Sequence, residues 1–206
     1  MKPRSVDART RTAYHEAGHA VLSAAIAIKP EHVSILPDAH TLGRSTARMS
    51  AHPVSRVQVH LAGFAAEHVL SGRRPRQLDQ EVGLAIVSRV DPALRAAFAG
   101  SEHHDGHRAV DEVLGMYVID DDKEMKSEVD RFYDAARESL AAVWFAVDRV
   151  ARALLEREDL DRDGVDEALG DADVYRPVLA VQQARAPVSR SVRREVAACA
   201  PHRGDG

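Results

Sequence analysis

Cysteine is almost missing from this 206-residue chain. With Cys199 alone, no intrachain disulfide can form and no cysteine-based zinc site can be assembled. That fits a reducing, cytoplasmic setting. Aromatic residues make up only 4%, so Ala, Val and Leu must fill a core for which the 45% apolar fraction is sufficient. Strong charge of either sign is lacking too, since 28 Lys and Arg against 32 Asp and Glu leave a net charge of -4. A nucleic-acid binder held by bulk electrostatics is thereby excluded. Long apolar runs are absent. The longest near the start, residues 20–28, is too short to cross a bilayer and is interrupted by Ser23. No convincing cleavage site follows it, so neither a membrane span nor a secretory signal is expected.

Abundant Ala, with 29% charged residues, points to a mainly α chain. Asp7 or Thr10 caps a first helix that runs to about Ile28 and stops before Lys29-Pro30. The next segment is β-prone over residues 33–36, turns at Pro37 and Asp38, and has a weaker extended stretch over residues 42–49. A small hairpin or short sheet is expected there. Helical spacing returns at residues 53–72, with Val57, Leu61, Phe64, Ala65 and Val69 on one side and Gly72 as terminator. Residues 78–90 read as helical, and so do residues 107–117. A long helix is expected from the acidic run at 119–132 to about Arg157, followed by a loop and a short capping helix. The basic, Pro-punctuated residues 176–206 read as a flexible tail.

The chemistry lies in "TAYHEAGHAVLSAA", residues 12–25. On a helix, positions i and i+4 share a face, so His15 and His19 can offer two imidazole nitrogens to one ion. Two such ligands make half of a four-coordinate zinc site. Glu16 lies beside them, placed to take a proton from water activated by the metal. The plain alternative is that, in a chain with 11 histidines, these are two partly exposed helix residues. Gly18 argues against it. It costs a helix interior about 1 kcal/mol relative to Ala, so it calls for a reason such as close packing.

The string "TAYHEAGHAV" resembles the zinc-peptidase domain of the FtsH-type ATP-dependent proteases. "VSILPDAHTLG", "VHLAGFAAEHVLSG" and the run from "EVDRFYDAARESL" to "GVDEAL" resemble later parts of that domain, in order, over about residues 10–170. The resemblance implies a mainly α, helical zinc-peptidase domain with a small β-hairpin or short sheet, over residues 1–175. It implies Zn2+ held by His15 and His19, with Glu16 as the catalytic base. The family's third ligand is an aspartate opening a later helix, and Asp105 in "GSEHHDGHRAV" is the match. His103, His104 and His107 crowd that aspartate, and His104 and His107 are second-line ligands or orienters beside their reading as exposed loop residues. Asp79 is a more distant candidate. Residues 73–100 look like an insertion that either blocks or shapes the cleft.

The family's phosphate-binding loop and membrane helices have no counterpart in this sequence. The expectation is a zinc endopeptidase for unstructured polypeptide without an ATPase of its own, fed by a separate ATPase or adaptor if by anything. Substrate would lie extended against the strand near residues 33–36, unless that strand is only cover for the helices. The family's rings make an oligomer conceivable. The competing reading is a catalytically inactive, metal-stabilised helical adaptor, and a weaker third is a helical domain with no metal.

Overall fold

A computed structural model of the chain describes residues 6–37, 43–47, 52–89, 91, 93 and 104–185. Cys199, His103 and the tail beyond Arg185 lie outside those residues. The architecture is mainly α with one small antiparallel sheet, as the composition led one to expect.

Helix α1, Ala8–Ala25, is the central element. Asp7 caps it by accepting from the Thr10 backbone N–H at 2.9 Å and from its hydroxyl at 2.7 Å. From Ala13 onward it is enclosed on nearly every side, Ala13, Ala17, Ala20, Val21 and Leu22 among the residues covered. One flank packs on α2, Pro53–Ser71. The approach is close because it is made by small residues. A Cβ on Gly18 would lie 2.6 Å from the Ala62 carbonyl oxygen and 2.7 Å from the Ala66 Cβ. That contact is the packing reason Gly18 called for. Pro53 suits the first turn of α2, and Gly72 ends it in the left-handed region at φ 71°.

Helix α3, Arg76–Ser88, and α4, Asp105–Met116, pack together beside α2. Leu78, Val82, Ala85 and Ile86 of α3 are buried, so this part of the 73–100 segment contributes to the core. The single long helix expected up to Arg157 is two helices, α5 over Asp122–Ala142 and α6 over Trp144–Arg157, with a corner at buried Val143. The apolar repeat runs straight through that corner and conceals it. What divides the helices is tertiary, since α5 packs on α2 and α6 packs on α1.

The sheet has the order β2-β1-β3, with β1 at Pro30–Ser34, β2 at Arg44–Ala47 and β3 at Asp159–Asp161. Both neighbours run antiparallel to β1, Val33 pairing with Ser45 on one side and Leu160 on the other. This corrects the expectation of an extended substrate along residues 33–36, because β1 is the middle strand and its two edges are taken. Helix α7, Arg162–Leu169, follows β3 directly, capped by Asp161. Residues 176–185, assigned by composition to a flexible tail, instead belong to α8, Tyr175–Arg185. This helix buries Val178 and ties back through a two-point Arg185–Glu138 pair and a Gln182–Gln58 bond.

Candidate metal centre

Helix α1 carries His15 and His19 one turn apart, and α4 carries Asp105 in its first turn. Asp105 Oδ2 lies 3.1 Å from His15 Nε2 and 3.0 Å from His19 Nε2. One nitrogen from each ring and one carboxylate oxygen all fall within 4.8 Å of one another.

The outward nitrogens are fixed from behind. His15 Nδ1 faces the Glu67 carboxylate at 2.8 Å, and His19 Nδ1 faces the Val59 carbonyl at 2.7 Å. Both partners are acceptors, so each Nδ1 carries the proton and each Nε2 is aimed at Asp105. The backbone of Gly63 underlies the His15 ring, where a Cβ would come within 2.3 Å of Nε2. Phe64 meets the same ring edge-on at 5.2 Å between centroids.

Burial favours the neutral form of both imidazoles, yet the Asp105 carboxylate, helped at His15 by Glu67, outweighs it and raises both. Burial also works against an ionised Asp105, and the two rings overcome it, holding that carboxyl far below the usual range. The carboxylate thus favours positive charge at this point, which a divalent cation supplies as ring protons do. Two imidazoles with a carboxylate form a donor set that suits zinc with a fourth position open. The residues present therefore fit the ion.

Glu16 is buried beside this group. Burial raises its carboxyl, against the pull of His15 and His19. Gly43, just before β2, lies directly over it, and a Cβ there would be 2.7 Å from Glu16 Oε1.

The structure brings together His15, His19 and Asp105 and leaves the second-line candidates apart. His104 is the N-cap residue of α4, half exposed, with Nδ1 3.8 Å from Glu81 Oε1. His107 lies on α4 outside the three-donor group. Asp79 pairs with Arg74 and Lys126 instead.

Three supporting residues carried no assignment in the sequence reading. Glu67 lies inside "VHLAGFAAEHVLSG", one of the strings that carry the resemblance. Glu81 on α3 had none. Its buried carboxylate accepts the Gly106 N–H at 2.9 Å and a Gln77 amide N–H at 2.9 Å, so α3 caps the helix that carries Asp105. His60 follows Val59 on α2. Burial pushes its imidazole down to about 4, despite Asp105 nearby, so the ring is neutral at pH 7.

No protein-family model matches the chain. It is similar to the ATP-dependent zinc metalloprotease FtsH of Chloroflexus aggregans, with 26% identity over 187 residues, covering 76% of this chain. Among the described residues no helix is long and apolar enough to cross a membrane. The chain spans 28% of the length of that relative, to which it is distantly similar.

Proposed function

We propose that the chain is a zinc-dependent endopeptidase acting on unstructured polypeptide, with His15, His19 and Asp105 as the metal ligands and Glu16 as the catalytic base. One observation carries this reading. Asp105 reaches two histidines that lie 90 and 86 residues away in the chain, while Glu16 is buried alongside without joining them. A merely structural site has no need of a base in that place.

Zinc supplies a polarising charge for the scissile carbonyl and lowers the pKa of a coordinated water towards about 7. Glu16 takes the proton of the attacking water and returns it to the departing amide nitrogen. Its place on α1, buried next to His15, suits both halves of that transfer. Glu67 and the Val59 carbonyl keep the two rings turned towards the ion. Strand β2, at the edge of the sheet and led by Gly43 over Glu16, is the place for main-chain pairing with an extended substrate. Supply of unfolded chain by a separate ATPase or adaptor is compatible with this arrangement.

The test is hydrolysis of an unfolded, casein-like substrate by the zinc-loaded protein. Glu16→Gln should reduce turnover by about 10²- to 10⁴-fold while leaving zinc bound. Stoichiometric zinc with no turnover in the parent protein would replace this reading with that of an adaptor.

A further inference from the structure

Beside the candidate centre, α2 and α4 present two facing polar stripes. On α2 the stripe runs Arg56, His60, Gly63, Glu67, each three or four residues from the next, and on α4 it runs Asp105, Arg108, Glu112. Gly63, Glu67 and Asp105 adjoin His15. At the far end Arg56 and Glu112 close the gap with a two-point pair, both contacts at 2.7 Å. Between the two ends lies a cleft of about 530 Å³ lined by Arg56, His60, Arg108, Asp111 and Glu112. That is within the range of small-ligand and side-chain sites.

We propose that this cleft is a specificity subsite that takes an uncharged, hydrogen-bonding side chain of the bound polypeptide, with glutamine or asparagine as the best fit. The inference rests on the peptidase reading for its link to catalysis and on the cleft alone for its chemistry.

The charges of the lining cancel. Arg56 is matched by Glu112, and Arg108 and Asp111 bring one charge of each sign to the exposed rim. A carboxylate side chain entering here meets Asp111 and Glu112 as well as Arg56 and Arg108, and an ammonium meets the same four, so neither gains a net opposite charge. Either adds uncompensated charge to a balanced wall. A large apolar side chain strips water from the imidazole and the guanidinium groups without replacing its hydrogen bonds. The neutral ring of His60, partly buried in the lining, offers one donor and one acceptor, the complement of a primary amide. Its neighbour Val59 holds His19, and Arg108 lies one turn beyond Asp105. The cleft is therefore built on the same stretches of α2 and α4 that hold His19 and carry Asp105.

The experiment uses zinc-loaded Glu16→Gln protein, in which turnover does not obscure binding. Fluorescein-labelled, alanine-based heptapeptides carrying a single Gln, Leu, Glu or Lys are titrated and followed by anisotropy. The Gln peptide should bind about three- to tenfold more tightly than the Leu peptide, the worth of one good neutral hydrogen bond, and more tightly than either charged peptide. His60→Leu, added to the same background, should abolish or reverse the Gln preference in samples matched for zinc content. The parent ranking tests the idea even if that variant folds poorly. Equal or tighter binding of the Leu, Glu or Lys peptide, no binding of any peptide, or a Gln preference that survives His60→Leu would overturn it. Casein turnover by the protein with Glu16 intact is read separately. Selective binding without turnover therefore sinks the peptidase reading and leaves the subsite standing.

Discussion

Gly63→Ala puts a methyl group where the structure has none to spare. On the existing backbone its Cβ would lie 2.3 Å from His15 Nε2, 2.4 Å from Cδ2 and 2.5 Å from Cε1. An unstrained contact is about 3.5–4.0 Å, so ring or helix must retreat by about 1 Å. The ring has little room to do so. Glu67 holds one side, Phe64 stands at its edge, and the His19 ring is 4.9 Å away. Metal sites tolerate displacements of about 0.5 Å, so the expected outcome is a loss of about 10²-fold or more in zinc affinity. Stability of the metal-free protein should change less, by about 0–2 kcal/mol. The helical gain of Ala over Gly, about 1 kcal/mol, offsets part of an overpacking cost of about 1–3 kcal/mol. Gly83→Ala on α3 is the control, because a Cβ there meets nothing within 4 Å. It should raise the melting temperature by about 2–4 °C and leave zinc binding alone. Competition with a chromophoric chelator gives the affinities, and melts in EDTA give the stabilities. Parent-like zinc affinity in Gly63→Ala would refute the geometry on which the site is built.

Three further outcomes follow from the same contacts. Glu81→Ala should weaken zinc binding about tenfold by freeing the first turn of α4, whereas Glu81→Gln keeps an oxygen for the Gly106 N–H and should stay near the parent in the same competition assay. Free zinc at 1,000 times its Kd should stabilise the protein by about 4 kcal/mol, seen as a rise of about 8–16 °C in melting temperature that EDTA reverses; a melt indifferent to zinc counts against the site. Burial, with the hydrogen bond to Asp148, pushes the Tyr14 phenol up to about 12 from 10.0. Its contribution is therefore intact below about pH 10 and is lost as pH rises through about 12, so urea midpoints of Tyr14→Phe should decline less steeply than the parent's over that window.

Local signals in the sequence carried a good part of this structure. The i, i+4 histidines with their intervening Glu16 depend only on helical geometry, and they share a face as expected. Asp105 was legible only through the family resemblance, which sets an aspartate at the start of a later helix, and the caps at Asp7 and Gly72 through residue type. What escaped was set by distant partners. Strand β3 is three residues long and forms because Leu160 finds Val33 far back in the chain, a pairing no local period announces. The corner at Val143 is invisible in an apolar repeat that continues through it. Glu81 is one acidic residue among many until α3 folds against Gly106. The docked α8 was hidden by composition, since its contacts are an ion pair and an amide bond above a single buried valine.

The reach of Asp105 across 86 and 90 residues has a kinetic side. An ion seated between α1 and α4 would staple together points almost half the chain apart, a reversible cross-link in a protein with one cysteine. Movement of α4 away from α1 would remove one of its three donors, so its exchange rate would respond to that opening. Timing isotope exchange of bound zinc would be one way to sense these two helices parting in the folded protein.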